Sequence, residues 1–234
     1  MVSQILFGES LTVVSKSGNW AKVRLHYDDY EGWVDSKQFI KTTEEFLKKS
    51  DGTEAVSLEI VQSAVSAQHH LPILLGSSLP HFDGMNFRIN KEKFVFNGQA
   101  VMPGQNGKAI VLEKVINKLL NAPYLWGGRS PFGLDCSGFT QIVFKTLGIK
   151  LPRDSHQQSE RGQALTFITE ARAGDIAFFE NKQGAIAHTG VILNDSTIAH
   201  AYGQVRIDKI DHYGIYNNER KEYTHKLRMI KRLF

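Results

Sequence analysis

What most limits this chain is how its first hundred residues are cut into short β-type runs. Ser10-Leu11-Thr12-Val13-Val14 is stopped by Lys16-Ser17-Gly18-Asn19, Trp20 to Leu25 is stopped by Asp28-Asp29, and Gly32-Trp33-Val34 comes next. In the second run Trp20, Lys22 and Arg24 alternate with Ala21, Val23 and Leu25, the period-two pattern of a half-buried strand. Forty residues of such runs suggest a small barrel, marginal by itself. Lys41 to Asp51 is polar, tolerates a helix and reads as a connector. A second β-rich stretch runs from Ala55 to about Val101, with hairpin-turn signals at Asp83-Gly84 and Asn97-Gly98. Leu75-Gly76-Ser77-Ser78-Leu79 faintly echoes Gly8-Glu9-Ser10-Leu11, as a repeated barrel would.

Near Gly104 the period changes. Ala109 to Leu120 carries apolar residues at helical spacing and is ended by Asn121-Ala122-Pro123. Asp135 can cap a second helix, whose apolar face is Phe139, Ile142, Val143 and Leu147 and whose stop is Gly148. After Gly174-Asp175, where Asp175 reads as a strand-entry turn, the pattern becomes strands: Ile176 to Phe179, Ala185 to Leu193 and Thr197 to Tyr202. Helices first and strands later indicate an α+β domain.

Charge and cysteine content narrow the partners. The net charge of +4 suits an anionic ligand, but no basic stretch is interleaved with aromatics, so no nucleic-acid partner is expected. No run of 18 apolar residues exists, so no membrane partner is expected either. The sole cysteine cannot form an intrachain disulfide and points to a reducing compartment. Met1 to Ser10 shows no basic-then-apolar leader, so a cytoplasmic place is expected, or an extracytoplasmic one if a leader has been removed. The expected state is a monomer without cofactor.

That cysteine sits in Tyr124-Leu125-Trp126-Gly127-Gly128-Arg129-Ser130-Pro131-Phe132-Gly133-Leu134-Asp135-Cys136-Ser137-Gly138-Phe139. With Asp135 as N-cap, Cys136 is the first helical residue, where unpaired N–H groups and the helix dipole favour a thiolate. The same N–H groups can hold an oxyanion, and the flanking glycines would let a substrate backbone come close. A nucleophilic cysteine needs a base. His188 and His200 lie in two strand-like runs around the turn Asn194-Asp195-Ser196. A three-residue loop there sets His200 opposite Gly190 and His188 opposite Tyr202, so both histidines share a face as diagonal neighbours. A zinc site on Cys136, His188 and His200 lacks compact ligand spacing, so no metal is expected. Trp33 and Trp126 read as packing residues.

Taken together, the Tyr124–Phe139 segment, Leu151-Pro152-Arg153-Asp154-Ser155, Ala173-Gly174-Asp175-Ile176-Ala177-Phe178-Phe179, His188-Thr189-Gly190-Val191 and Ile198-Ala199-His200-Ala201 resemble the NlpC-type cell-wall cysteine peptidases in order and spacing. The resemblance implies a papain-like fold, with Cys136 as nucleophile, His188 as base, His200 as orienting residue and Tyr124 near the oxyanion. Ile5-Leu6-Phe7-Gly8-Glu9 and Tyr30-Glu31-Gly32-Trp33-Val34 resemble bacterial SH3-like modules. On this likeness residues 1–42 are a first SH3-like domain, 43–105 a second with its connector, and 106–234 the catalytic domain.

The whole layout resembles the γ-D-glutamyl-L-diamino acid peptidases. These release L-Ala-γ-D-Glu from murein tripeptides or tetrapeptides with a free L-Ala, before meso-diaminopimelate or L-Lys. Likeness to that group implies that Asp135, Ser137 and Ser155, with Tyr30 and Glu9 from the first module, bind the L-Ala amine. Two other readings stand beside it: a secreted endopeptidase acting on intact stem peptides, and a catalytically inactive cell-wall-peptide binder.

Overall fold

Strands β1 (Leu11–Ser17), β2 (Trp20–Leu25) and β3 (Glu31–Asp35) form an antiparallel meander. The alternation in β2 does what its period requires: Ala21, Val23 and Leu25 are buried, while Trp20 and Arg24 face water. These features come from a computed structural model, which describes every residue except 51–53, 103, 105, 106 and 195. The end of the connector at Asp51, the boundary at 105 and 106, and Asp195 of the expected turn lie outside the described residues. Within the connector, Glu44–Ser50 form the short helix α1.

The second β-region contains β4 (Ala55–Ser57), β5 (Val61–Val65), β6 (His70–Leu74), β7 (Ser78–Leu79), β8 (Asn86–Ile89), β9 (Glu92–Phe96) and β10 (Ala100–Val101). They make two small sheets, ordered β10-β4-β7 and β6-β5-β9-β8, around Ala64, Ile73, Leu79, Phe87, Phe94 and Phe96. The hairpin of β8 and β9 turns at Asn90, held at φ 53°, and not at either of the Gly-containing pairs. Asp83 instead accepts the N–H groups of Met85 and Asn86, a local side-chain turn. The two echoing segments touch: the Ser78 N–H donates to the Phe7 carbonyl at 2.9 Å, and a Cβ on Gly8 would strike the Ser78 carbonyl.

The last region opens with α2 (Lys108–Leu119), a short ribbon of β11 (Arg129–Ser130) and β12 (Gly133–Leu134), then α3 (Cys136–Thr146) and α4 (Ser155–Gln158). Strands β13 (Gln163–Leu165), β14 (Ile176–Glu180), β15 (Ile186–Asn194), β16 (Thr197–Tyr202), β17 (Gln204–Ile210), β18 (Gly214–Asn217) and β19 (Glu222–Arg232) form one antiparallel sheet. Strand β18 pairs with both β17 and β19, so β14 to β19 close into a barrel with β13 outside. Asp175 accepts the Arg172 N–H and grips the Arg232 guanidinium at 2.9 and 2.7 Å, tying the start of β14 to β19.

Helix α3 lies against the barrel. Phe139, Ile142, Val143 and Phe144 share one core with Leu112, Val115, Ile116 and Leu119 of α2 and with Ile176, Phe178 and Val191 of the barrel. Leu6, Val56, Leu58 and Leu75 from the front half belong to that core as well. Each such side chain stabilises by about 1.5–3 kcal/mol when fully buried, so the modules and the catalytic region share their apolar interior.

A buried charge cluster seals the same joint. Glu9 takes Arg129 in a two-pronged contact at 3.0 and 2.9 Å and Lys145 at 2.8 Å, and also accepts the Leu6 N–H. Its side chain is 1% exposed. Tyr27 lies beneath both cations, 5.6 Å from the Arg129 guanidinium and 5.0 Å from Lys145. Burial pushes the Glu9 carboxyl up, but Arg129 and Lys145 outweigh it and hold it at about 2, against an ordinary 4.5. Its stabilisation is therefore complete above the ordinary value and is lost as pH falls toward 2. Glu9→Ala leaves two buried cations without a counter-charge. The expected loss is about 3–5 kcal/mol, measured as a lower urea midpoint at neutral pH.

Candidate active site

Asp135 organises the site. As N-cap of α3 it accepts the Gly138 N–H at 2.7 Å, and its other oxygen accepts the Gly127 N–H at 2.9 Å. Arg153 closes on both oxygens at 3.0 and 2.6 Å and reaches Ser137 Oγ at 2.9 Å and Ser3 Oγ at 3.1 Å. The cap expected from the sequence is present, and the carboxylate is also a buried ion partner. The flanking glycines serve the protein's own backbone: a Cβ on Gly138 would lie 2.1 Å from the Gly128 carbonyl, and one on Gly128 would lie 2.2 Å from that of Gly133. The expected role of admitting a substrate backbone is corrected accordingly.

Cys136 is the first residue of α3 and 8% exposed. Burial pushes its thiol up to about 11, and Asp135 adds to that; the N–H groups of Thr189 and Ser137 and the charge of Arg153 pull only part of the way back. The Thr189 N–H reaches the sulfur from β15, one residue beyond His188. Burial thus opposes the helix start and favours the neutral thiol, where the sequence pointed to a thiolate. Burial is also the main force that lowers His188 well below the ordinary histidine range, with His225 and His200 adding to it.

His188 Nε2 and His200 Nδ1 meet at 2.9 Å. The ladder of β15 and β16 pairs Gly190 with His200 as expected, but Asn194 pairs with Thr197 and belongs to the ladder, not to the expected three-residue loop; a register shift between Ile192 and Asn194 reconciles the two. Behind His200 stands a carboxylate that sequence reasoning missed. His200 Nε2 meets Asp208 Oδ2 at 3.0 Å, and Arg206 grips the same carboxylate at 2.7 and 3.0 Å. The sequence of β17 carries no local mark of it: Asp208 is buried while Ile207 beside it is exposed. With Asp208 on Nε2, the proton of His200 is fixed there, and Nδ1 accepts from His188.

Tyr124 borders the cysteine. Partial burial, then the nearby Cys136 and Asp135, raises its hydroxyl to about 12, so it stays a donor. Ser137 is 6% exposed and bonded to Arg153 and Asp135. Ser155 opens α4 beside Asp154. Tyr30 sits at the joint between module and cleft: burial raises its hydroxyl first, then Asp154, with Arg153, Asp28 and Asp135 also acting on it. Asp28 accepts both the Tyr30 N–H and the Gln141 side chain of α3, which fixes that position.

Glu9 is elsewhere. Lys145, its partner, lies nine positions past Cys136 in the helix, about 13 Å along the axis at 1.5 Å per residue. The expectation that Glu9 faces a substrate amine is thus corrected: three protein partners fill it. Trp126 and Trp33, expected to pack, are 73% and 54% exposed.

A cysteine at a helix start, reached by the backbone N–H that follows a histidine on an antiparallel barrel, is the layout of a papain-like cysteine peptidase. Residues 121–227 match the NlpC/P60 family, and residues 1–39 match the bacterial dipeptidyl-peptidase SH3 domain. The chain is 30% identical over 225 residues to a γ-D-glutamyl-L-lysine dipeptidyl-peptidase of Bacillus subtilis (strain 168), covering 85% of this chain and 71% of that protein. It is 30% identical to a protein of the same name from Bacillus cereus (strain ATCC 10987 / NRS 248), again over 85% of this chain and over 66% of that protein. The crystal structure of an NlpC/P60 family protein from Bacillus cereus ATCC 10987 superimposes with a TM-score of 0.81 at 26% identity, covering 99% of this chain and 81% of that one. The chain belongs to the NlpC/P60 family.

A neutral resting thiol has a kinetic signature. Alkylation of Cys136 by iodoacetamide should accelerate about tenfold per pH unit between pH 7 and 10, since only the thiolate reacts. A rate that levels off near pH 7 would reveal a preformed thiolate and overturn this account.

Proposed function

We propose that this chain is a cysteine peptidase that cuts the γ-D-glutamyl bond to the diamino acid in murein peptides bearing a free L-Ala, as part of peptidoglycan recycling. The observation that carries the chemistry is the 2.9 Å contact of His188 Nε2 with His200 Nδ1. It leaves His188 Nδ1, with no protein partner among the described residues, to take the thiol proton. Support for the substrate comes from the names of the two Bacillus relatives and from a first module of the dipeptidyl-peptidase type.

In this reading His188 accepts the Cys136 proton as the sulfur attacks the γ-carbonyl carbon. The Cys136 N–H, which has no acceptor in the first helical turn, and the protonated Tyr124 hydroxyl hold the oxyanion. The C–N bond breaks as the imidazolium hands its proton to the departing amine. Water then attacks the thioester, His188 takes its proton, and L-Ala-γ-D-Glu leaves with the thiol restored. His200, fixed by Asp208, keeps His188 in the tautomer that this exchange needs.

The amine pocket is built from Tyr30, Ser155 and Asp154, with Asp135 and Ser137 behind them. Asp154 replaces Glu9 in this role: its side chain caps no N–H of α4, and it is the charge that acts most strongly on Tyr30. A protonated amine held by a carboxylate and a phenol gains charge-assisted hydrogen bonds. A cytoplasmic place for the reaction belongs to the same proposal.

Mass spectrometry of L-Ala-γ-D-Glu-meso-diaminopimelate and its N-acetyl derivative tests the reading directly. Only the free peptide should be cut, and only at the γ-bond. Equal cutting of both would transfer the enzyme to intact stem peptides. A folded Cys136→Ala protein should show no turnover. Asp154→Asn should raise KM for the free peptide about tenfold to a hundredfold, the loss of one charged hydrogen bond of about 1.5–3 kcal/mol, with kcat little changed.

A further inference from the structure

The barrel carries a third imidazole that the reaction above does not use. His225 lies on β19, and closure of the barrel through β18 brings it to the end of the sheet where His188 and His200 meet. Its ring stacks on that of His188, with centroids 4.0 Å apart and planes 24° from parallel. His200 meets His188 edge-on, at 5.1 Å and 88°. His188 is therefore held at its rim by one histidine and across its face by another. His225 is itself fixed: Thr224 Oγ1 is 2.9 Å from its Nδ1, and the Tyr202 ring crosses it at 4.9 Å and 88°.

These three rings meet the first criterion for a metal site, since one nitrogen from each lies within 4.8 Å of the others. Their directions do not suit one. A centroid separation of 5.1 Å across a 2.9 Å nitrogen contact means that His188 and His200 point at each other. Their lone pairs then do not converge on a common point about 2.0–2.1 Å from both, as zinc ligation requires. Stacking, in addition, lays the face of His225 and not its rim toward His188.

We propose that His225 is a positioning residue, whose ring fixes the plane of His188 for proton exchange with Cys136 and whose stack with His188 carries no more than one positive charge during turnover. This rests on the reading of His188 as the base. The groups around His225 agree. His188 faces it from β15, His200 and Tyr202 from β16, Asp208 acts on it from β17, and Phe179 of β14 covers it at 5.9 Å. Burial, then the neighbouring His200, lowers its ring to about 4, against a smaller pull upward from Asp208. At neutral pH it offers an uncharged aromatic face to the imidazolium that forms on His188. Once protonated it would set a like charge against that ring, the coupling expected of two titrating sites in contact.

Two variants separate positioning from bulk structure. His225→Phe keeps a flat ring and cannot titrate, and His225→Ala removes the ring. With folding checked by circular dichroism and thermal unfolding, His225→Ala should lose about tenfold to a hundredfold in kcat with KM within about twofold, a loss in the range of general-base effects. The Phe variant should keep kcat within about threefold. A substrate-free measurement completes the test: NMR titration of the histidine rings should show His188 protonating at higher pH in the Phe variant than in the parent protein. The proposal is overturned if His225→Ala turns over like the parent, or if the His188 titration is unmoved in the Phe variant. Should the parent protein cut no murein peptide, the substrate reading fails by itself, and the ring titration still decides the role of His225.

Discussion

The ion pair of Arg153 with Asp135 is the contact on which the rest of this molecule turns. One carboxylate starts the helix that presents Cys136, pins the loop of Gly127 and draws in an arginine that also holds Ser137 and Ser3. Buried charges are costly unless their partners are complete. Here both oxygens of the carboxylate and all three nitrogens of the guanidinium are engaged, so the arrangement has one geometry. Cys136 is therefore placed by an electrostatic lock, and packing on the far face of α3 completes the alignment.

Burial also decides the protonation state at rest. A helix N-terminus lowers a thiol pKa, and removal from water raises it; at 8% exposure the second effect dominates. The same desolvation keeps His188 neutral. Burial of both groups thus works against a preformed ion pair between thiolate and imidazolium. In the proposed reaction the proton moves when substrate contributes an electrophile and the oxyanion donors are in use. In that proposed reaction the chain from His188 through His200 to Asp208 orients the base, with the negative charge two hydrogen bonds away from it.

Much of this was legible in the sequence because it is local. The cap at Asp135 and the apolar face of α3 come from spacing alone, and the pairing of Gly190 with His200 follows from the short turn between β15 and β16, although the shift between Ile192 and Asn194 that sets it is not legible. What could not be read is long-range. Asp208 looks like any acid of an alternating strand until β17 is known to lie beside β16. His225 looks like one more histidine until β18 closes the barrel. Glu9 was misplaced because a carboxylate in a β-module carries no local mark of whether it faces a ligand or the helix behind it. The glycines beside Cys136 fit two explanations equally well, and only the backbone contacts of Gly128 and Gly138 separate them.

The cluster of Glu9, Arg129 and Lys145 has a consequence for how such chains can be assembled. It places the anion in the module and both cations in the catalytic region, over a tyrosine that also belongs to the module. Charge balance at the seam is thus divided between two folding units that look interchangeable by outline. A foreign barrel of the same shape would seat against α3, yet if it brought an apolar residue to this spot it would trap two cations in a dry joint. The seam therefore works as a keyed connector: a barrel seats there without stranding charge only if it brings an acid to the position of Glu9.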